Sequence, residues 1–417
     1  MNKFRKVCVL GLGYIGLPTA ATIASKSTKV FGVDVNVDIV NTVNRGEIHI
    51  YEPNLKKIVD QKVKKGQLMA FEKPQEADIY IITVPTPILN NKKPDLKFVE
   101  NAVRSIANLL KSGDILILES TSPVGTTRNL TKMLSKLRPS LNLPNEKSKS
   151  PDIHIGYCPE RVLPGNIINE LKFNDRLIGG MSKKCSNLIL KFYKSFVKGK
   201  CVLASNPEIA EFAKLSENSF RDLNIAFANE LSIICDDINL NVWELINLCN
   251  LHPRVNILNP GPGVGGHCIA LDPWFLISSF PKTTNLIKSA RVVNESKVNW
   301  VIKKIFSEIK SLKKTKKLND IILTFYGITY KPNVDDIRES PSIKIIKKIS
   351  EKFDGIIQIV DPFVNMDLVK IKNVSFVEYK KGIKGSDLNI FLVKHSDFLK
   401  QKKPNGKIID TTGIWYN

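Results

Sequence analysis

A cysteine preceded by a glycine-rich loop is the residue in this chain best suited to covalent chemistry. The stretch 259–267, NPGPGVGGH, leads into Cys268, and Asp272 follows four residues later. A helical turn that begins near Cys268 puts the thiol at the positive end of the helix dipole, which stabilises a thiolate, and brings Asp272 to the same face. A lone cysteine is usually a small buried hydrophobe, but core packing does not explain the glycines before it. The spacing favours a cysteine nucleophile beside a carboxylate.

A second motif, GLGYIG at 11–16, has the spacing of a dinucleotide-binding turn. It follows one apolar run and opens an apolar helical segment. Gly11, Gly13 and Gly16 allow a tight turn and let a pyrophosphate approach the helix N-terminus, whose amides bind anions. Asp34 ends the next apolar run, at the separation of about 20 residues where a carboxylate binds the adenosine ribose and repels a 2′-phosphate. The motif predicts an NAD site; its alternative is a glycine-rich turn that binds no cofactor.

Hydroxyl side chains follow two further apolar runs. Thr86 lies in the segment VPTP after one run, and Thr121 and Thr127 lie in STSPVGTT after the next. Both segments fall at the carboxyl ends of predicted strands, where open α/β sheets bind their ligands. Ordinary turns and helix caps explain each of these threonines about equally well.

Lys214, Asn218 and Arg221 have the i, i+4, i+7 spacing that places side chains on one face of a helix. They lie in the stretch 207–238, which has apolar residues at helical spacing and no glycine. A polar stripe of this kind is by default exposed to solvent. Apolar neighbours favour burial on several sides instead, and these are Phe212, Leu215, Phe220, Leu223 and Phe227. In that case the stripe lines a cleft for an anionic substrate.

The cysteines and histidines form no disulfide or metal pattern. The seven cysteines contain no CxxC pair, and an odd, scattered set suits a reducing cytoplasm. The five histidines show no HExxH or paired Cys/His spacing, so we expect no metal. The uncharged run 7–25 contains three glycines and a proline, which favours a strand, a turn and a buried helix over membrane insertion.

The net charge of +22, from 62 Lys and Arg against 40 Asp and Glu, is the main feature in favour of a nucleic-acid-binding protein. The lysines, however, occur in short scattered clumps with few aromatic residues between them. A nucleic-acid binder is expected to show a concentrated basic stripe with stacking aromatics, or a known reading module. We therefore interpret the lysines as solvated surface and expect no nucleic-acid partner.

Apolar β-branched runs alternate with helical segments on both sides of the long helical stretch. They lie at 7–10, 30–33, 79–84, 115–118 and 153–157 before it, and at 321–326, 356–360, 388–393 and 408–410 after a lysine-rich link, with a helix from Ser342. Such alternation is typical of doubly wound sheets. We predict an α/β fold in which two Rossmann-like doubly wound parallel-sheet domains, 1–205 and 310–417, are joined by a central helical region, 206–309.

Seven stretches together resemble the UDP-glucose/GDP-mannose dehydrogenase family from end to end, and most closely its members that act on UDP-N-acetyl-D-mannosamine. They are 11–21, 44–50, 119–125, 157–165, 215–230, 250–275 and 330–341. The family has an N-terminal NAD domain, a central dimerisation region and a C-terminal nucleotide-sugar domain. We expect a homodimer from this resemblance and from the long helix 207–238, which has more apolar surface than one copy is expected to cover. A hydroxyacid dehydrogenase is a weaker alternative, because a two-electron oxidation needs no cysteine nucleophile.

The resemblance implies a cytoplasmic enzyme that uses two NAD to oxidise C6 of UDP-N-acetyl-D-mannosamine to a carboxylate. In that scheme Cys268 holds a thiohemiacetal and then a thioester, Lys214 transfers protons, and Asn218 binds a developing oxyanion. Asp272 and Glu160 position or activate water. The implied product is a uronate for a bacterial surface polysaccharide such as enterobacterial common antigen. The alternative is a UDP-N-acetylglucosamine 6-dehydrogenase of O-antigen or capsule biosynthesis, because one sequence does not determine the configuration at C2.

Further contacts follow from the resemblance, residue by residue. Those to NAD come from Tyr14, Ile15, Asp34, Thr86, Thr121, Thr127 and Arg338. Those to the UDP-N-acetylhexosamine come from Arg161, Val162, Lys214, Asn218, Arg221, His252, Arg254, Gly265, Tyr330 and Lys331. Arginine and lysine suit the pyrophosphate and the new carboxylate.

Overall fold

The alternation in the first part of the chain forms one sheet of eight strands. A computed structural model describes residues 4–145, 150–365, 367 and 369–416. The strands are β1 Lys6–Leu10, β2 Lys29–Val33, β3 Leu68–Phe71, β4 Ile79–Ile82, β5 Ile115–Leu118, β6 His154–Tyr157, β7 Arg176–Gly180 and β8 Cys201–Leu203. Their order is β3-β2-β1-β4-β5-β6-β7-β8, and neighbours are parallel except β6 and β7, which run antiparallel. The predicted doubly wound sheet is confirmed; β3, β7 and β8 were not among the predicted runs.

Helices cover both faces of this sheet. They are α1 Gly16–Ile23, α2 Val37–Asn44, α3 Leu55–Lys64, α4 Lys97–Ile106, α5 Thr126–Leu137, α6 Ile167–Phe173 and α7 Lys183–Tyr193. Alternate residues of β1 enter different cores, with Val7 and Val9 on one side and Cys8 and Leu10 on the other. Burial on both faces explains why the strands are continuous apolar runs in the sequence. The uncharged run 7–25 forms β1, a turn and α1, as predicted.

The central region is helical. Its helices are α8 Pro207–Asp237, α9 Val242–Cys249, α10 Asp272–Ser279 and α11 Asn285–Leu312. The predicted long helix is therefore confirmed as α8. The chain divides into two compact units, Met1–Ser216 with Trp274–Ser279 and Glu217–Pro273 with Phe280–Asn417, so that the division falls within α8.

The second unit contains a parallel sheet of five strands, in the order β11-β10-β9-β12-β13. The C-terminal elements are a 3-10 helix Leu318–Asp320, β9 Ile322–Tyr326, α12 Pro341–Ser350, β10 Ile356–Val360, β11 Val374–Phe376, α13 Tyr379–Gly385, β12 Leu388–Phe391, α14 Ser396–Leu399 and β13 Lys407–Asp410. Strand residues such as Leu323, Ile357 and Ile390 pack with Val301 and Ile305 of α11. The second predicted doubly wound domain is confirmed, with α11 helping to cover its sheet.

One expectation about α8 is not met within a single copy of the chain. The sequence favoured burial around its phenylalanines, but Phe212, Phe220 and Phe227 are 46%, 67% and 49% exposed. Helical periodicity identifies an apolar face without saying what covers it. Within this chain the buried apolar side chains of α8 are instead Ala210, Leu215, Ala226, Ala228 and Cys235. Within the described residues, no helix combines the length and apolar character that crossing a membrane requires.

Candidate active site

The glycine turn after β1 leaves the N-terminus of α1 accessible to an anion. A side chain at Gly16 cannot be accommodated, because its Cβ would lie 1.8 Å from the Gly11 carbonyl oxygen. No side chain caps α1, and its first turn contains no acidic residue. The amides of a first helical turn have no intrahelical partners and attract negative charge. This geometry suits the pyrophosphate predicted from Gly11, Gly13 and Gly16, with Tyr14 and Ile15 between them.

Asp34 lies at the end of β2 and holds the same turn. Its Oδ2 accepts a hydrogen bond from the Leu12 amide at 2.9 Å, and its Oδ1 accepts one from the Asn36 amide at 3.0 Å. The carboxylate is half-buried. Asp34 is therefore oriented by backbone donors beside the glycine turn, which is where a ribose-binding carboxylate is needed.

The loops after β4 and β5 are joined by hydroxyl groups. Thr86 donates to the Thr121 carbonyl at 2.8 Å, and Ser120 donates to the Val84 carbonyl at 2.6 Å. The Thr127 hydroxyl, predicted to contact NAD, donates to Glu211 at 2.7 Å and is buried. Contacts between these threonines and NAD stay predictions.

Glu160 lies in a buried charge cluster of the first unit. Its Oε2 accepts a hydrogen bond from Arg176 at 2.6 Å, and its Oε1 accepts one from the Arg161 amide at 2.7 Å. The same Arg176 nitrogen is 3.5 Å from Glu119. Burial, and secondly the charge of Glu160, raise the pKa of Glu119 well above its usual range. Arg176 and Glu119 were not predicted, since no local pattern distinguishes them from surface charges.

The other predicted groups of the first unit differ in exposure. Lys214 is buried, Val162 is half-buried and Arg161 is exposed, with a guanidinium contact of 3.3 Å to the Asp175 carbonyl. A buried lysine is costly in an apolar environment without a partner or a function. Burial of Lys214 thus agrees with the cleft predicted for the polar stripe, whereas Arg221 at its end is exposed.

Cys268 lies in a turn of the second unit rather than inside a helix. The amides of Leu271 and Asp272 donate to the Cys268 carbonyl at 3.1 and 2.9 Å, so a helical turn does begin at the cysteine, as predicted, although α10 itself begins at Asp272. The cysteine is exposed. Asn218 donates through Nδ2 to Asp272 Oδ2 at 2.5 Å, and both side chains are buried. The structure therefore brings Asp272 together with Asn218 next to the cysteine turn.

The glycine loop packs closely against the segment 330–341. A Cβ on Gly265 would lie 2.7 Å from the Glu339 carbonyl oxygen, and the Gly266 amide donates to the Arg338 carbonyl at 3.1 Å. The Tyr330 amide donates in turn to the Asp336 carbonyl at 3.1 Å. The structure thus brings together Gly265, Tyr330 and the backbone of Arg338, three predicted site positions.

Three predicted substrate contacts lie at the surface. Arg221, His252 and Arg254 are exposed, and the Arg254 amide donates to His252 Nδ1 at 3.3 Å. Lys331 is half-buried, and the guanidinium of Arg338 makes a two-point contact with Asp336 at 2.6 and 3.0 Å. The contacts of these side chains with substrate or NAD stay predictions.

Buried polar residues that sequence reasoning missed anchor the start of the glycine loop. Asn229 accepts from the Gly261 amide and donates to Asn294, both at 2.9 Å. Asn294 contacts Asp222 at 2.8 Å, and Arg291 donates to the same carboxylate at 2.7 Å. The available signal was Asn229 itself, a polar residue on an apolar helix three turns after Asn218.

Within the described residues, no group of three or more histidine, cysteine or acidic side chains could hold a metal ion. The seven cysteines, all within those residues, are thiols rather than disulfides.

The family's three domains match this chain in order. The NAD binding domain of the UDP-glucose/GDP-mannose dehydrogenase family matches residues 5–197, the central domain 208–296 and the UDP binding domain 324–417. Together these matches span most of the chain.

Relatives match over nearly the whole length. The UDP-N-acetyl-D-mannosamine dehydrogenase of Yersinia pestis is 48% identical over 99% of this chain and 100% of its own. The NDP-N-acetyl-D-galactosaminuronic acid dehydrogenase of Ralstonia nicotianae is 45% identical over 99% and 96%. The solved UDP-D-ManNAc dehydrogenase of Pyrococcus horikoshii is 35% identical with a TM-score of 0.87, covering 98% and 96%. This chain is thus an NAD-dependent member of the UDP-glucose/GDP-mannose dehydrogenase family.

Proposed function

We propose that this enzyme oxidises C6 of UDP-N-acetyl-D-mannosamine to the uronate in the cytoplasm, with two NAD and a covalent intermediate on Cys268. The observation that carries the proposal is the exposed cysteine in a turn whose last residue, Asp272, holds the buried amide of Asn218 at 2.5 Å. A two-electron dehydrogenase requires no such arrangement. The Yersinia pestis relative supports the choice of sugar.

The chemistry proceeds in three steps. Lys214 takes the proton of the C6 alcohol while a hydride leaves to the first NAD, which gives an aldehyde. The Cys268 thiolate adds to that aldehyde to form a thiohemiacetal, and loss of a second hydride to another NAD gives a thioester. Water hydrolyses the thioester and restores the thiol. The sum is one alcohol, two NAD and one water converted to one carboxylate, two NADH and three protons.

Three polar groups assist these steps. The Asn218 amide, oriented by Asp272, donates to the oxygen that becomes negative when the thiolate or water attacks. Glu160 orients or activates the hydrolytic water, and Arg176 at 2.6 Å holds its carboxylate in place. Covalent retention prevents escape of the aldehyde between the two oxidations.

A panel of nucleotide sugars tests the proposal. Purified enzyme with excess NAD should form two NADH for each UDP-N-acetyl-D-mannosamine consumed, with a higher kcat/KM than for UDP-N-acetylglucosamine or UDP-glucose. The galacto epimer belongs in the panel because of the Ralstonia nicotianae relative. A higher kcat/KM for another epimer shows that the assigned substrate is wrong. Formation of one NADH for each sugar consumed contradicts the cysteine mechanism. A preferred gluco epimer points to O-antigen or capsule synthesis, and the manno epimer to enterobacterial common antigen.

We also propose that the enzyme is a homodimer that pairs through α8. Phe220, Phe227 and Ile234 follow at intervals of seven residues, so they lie in one row along the helix, and each is about half or more exposed. An apolar row of this kind is typical of surfaces that a partner covers. A second copy of this chain is the simplest partner for this surface, because the row can pair with itself about a twofold axis.

We also propose that the chain has three domains with the boundaries predicted from the sequence, 1–205, 206–309 and 310–417.

A further inference from the structure

Glu211 of α8 occupies the N-terminus of α5 within the first unit. Its Oε2 accepts a hydrogen bond from the Gly125 amide at 2.6 Å. Its Oε1 accepts one from the Thr127 amide at 2.8 Å and one from the Thr127 hydroxyl at 2.7 Å. The side chain is fully buried. A carboxylate from a distant part of the chain thus takes the position that a bound anion takes at other helix N-termini.

The three hydrogen-bond donors, two amides and one hydroxyl, require a partner that accepts hydrogen bonds and donates none. An ionised carboxylate accepts all three hydrogen bonds, whereas a protonated carboxyl must itself donate one. Two of the donors are backbone amides, which cannot reverse their direction. Only the Thr127 hydroxyl can turn and accept the carboxyl proton. The ionised form of Glu211 is therefore the one that holds both ends of this turn in the observed arrangement.

The turn held by Glu211 ends the loop 120–127. In the same loop, the Thr121 carbonyl accepts the Thr86 hydroxyl at 2.8 Å, which joins it to the loop after β4. Glu211 also lies one helical turn before Lys214 on α8, so one carboxylate links the loop to the helix that carries the proposed base. We propose that Glu211 is a positioning residue, whose carboxylate holds the loop 120–127 in the conformation that receives NAD. This inference rests on the NAD contacts proposed for that loop.

The charges around Glu211 make this role sensitive to pH. Burial raises the pKa of Glu211 to about 7, while its bonds to Thr127 and Gly125 lower it and the nearby Glu208 raises it. On α8 the charged neighbours are Glu208 and Lys214; on α5 the neighbour is Arg128, which pairs with Glu208 at 2.5 Å. Loss of the ionised form below pH 7 should therefore weaken NAD binding.

Stability changes with pH in the opposite direction. Because the folded-state pKa of Glu211 is raised from 4.5 to about 7, its contribution to stability is full below 4.5 and is lost as pH rises to 7. If Glu211 only stabilised the fold, NAD affinity would change with pH in the same direction as the contribution of Glu211 to the free energy of unfolding. A positioning residue gives tighter NAD binding at the pH where its own contribution to stability is smallest.

The test is the NAD dissociation constant of the intact enzyme, measured by calorimetry without sugar between pH 5.5 and 8.5. Wild-type affinity should weaken about tenfold from pH 8 to pH 6. Glu211→Gln should bind NAD at least fivefold more weakly at pH 8 and show no such pH dependence. The control Glu208→Gln changes a carboxylate one turn earlier on the same helix. It should keep the wild-type affinity at pH 8 and a pH-dependent profile, with the midpoint moved to lower pH because the charge of Glu208 raises the pKa of Glu211. A Glu211→Gln variant with the wild-type profile overturns the proposal.

A second variant covers the case in which Glu211→Gln does not fold. Thr127→Val removes one bond that lowers the pKa of Glu211, so the midpoint of the NAD profile should move to higher pH. An unmoved midpoint overturns the proposal. Because sugar is absent, an enzyme that binds NAD with this profile but makes no uronate contradicts the proposed function and leaves this inference intact.

Discussion

Asn218 and Asp272 are 54 residues apart in the chain, and their side chains are joined by a hydrogen bond of 2.5 Å. The exposed fractions are 7% for the asparagine and 3% for the aspartate. A charged acceptor gives this bond roughly twice the strength of a neutral one and restricts the rotation of the amide. If Asn218 binds the proposed oxyanion, Asp272 acts on the chemistry at least in part through this amide.

Replacing Asp272 with alanine removes the acceptor that orients this amide. We expect kcat for uronate formation to fall by about 10²- to 10³-fold, the usual effect of losing one oxyanion donor, with little change in the KM for the sugar. Steady-state NADH formation measures both. The control Asp237→Ala, an exposed carboxylate on α8, should keep wild-type kinetics. A kcat within twofold of wild type would show that Asp272 does not act through Asn218.

Cys268→Ala removes the proposed nucleophile. We expect acid formation to fall on the order of 10³-fold or more, while the dissociation constant for NAD stays within about twofold, because the glycine turn at 11–16 is untouched. Product analysis and NAD titration measure the two effects. Cys249→Ala, a half-buried thiol of α9, is the matched control. Full acid production by the Cys268 variant excludes a covalent intermediate.

Asp34→Ala removes both the acceptor for the Leu12 amide and the negative charge predicted to contact the ribose. Losing a charged hydrogen-bond partner costs about 1.5 to 3 kcal/mol, so NAD affinity should fall between about tenfold and a hundredfold. The preference for NAD over NADP should fall with it. Asp38→Ala, an exposed carboxylate in the first turn of α2, controls for net charge. Unchanged cofactor preference would remove Asp34 from the ribose site.

Phe227→Asp places a charge in the exposed row of α8. If two copies pair through this row, sedimentation of the variant should show a monomer at micromolar concentration where the wild type is a dimer, since a charge at the centre of an apolar interface is strongly unfavourable. Leu399→Asp, which changes an equally exposed apolar side chain of α14, should leave the dimer intact. A wild-type protein that sediments as a monomer contradicts the proposal directly.

Lys297 makes stability depend on pH. It is buried beside Trp300 and donates to Ser232 at 2.6 Å, and burial lowers its pKa from 10.5 to about 7. The unfolded chain then holds one more proton between pH 7 and 10.5, so this residue makes stability rise with pH across that window. The free energy of unfolding of Lys297→Met, relative to that of the wild type, should be about 1 to 3 kcal/mol higher at pH 7 than at pH 9.5. Denaturant titrations at both pH values measure this, with Lys303→Met, which changes an exposed lysine of the same helix, as the control.

The sequence alone predicted those elements whose pattern lies within a short stretch of the chain. The motif at 11–16 and the apolar run before it predicted β1, the turn and α1, since each depends on a few consecutive residues. The bonds from Glu211 to Thr127 and from Asn218 to Asp272 connect residues 84 and 54 positions apart, and no spacing rule relates them. The exposure of the α8 phenylalanines within one copy was not predictable for another reason: helical periodicity is the same for an apolar face covered by the chain's own core and for one covered by a partner.

Two helix N-termini of the first unit, those of α1 and α5, differ in the charge that they offer to a dinucleotide. The start of α1 has no capping side chain and no acid, whereas the start of α5 already has a carboxylate on its Gly125 and Thr127 amides. A pyrophosphate can therefore neutralise only the first, and the second repels it. The carboxylate of Glu211 thus disfavours a pyrophosphate at the start of α5, which leaves the start of α1 as the more favourable of these two positions for a dinucleotide.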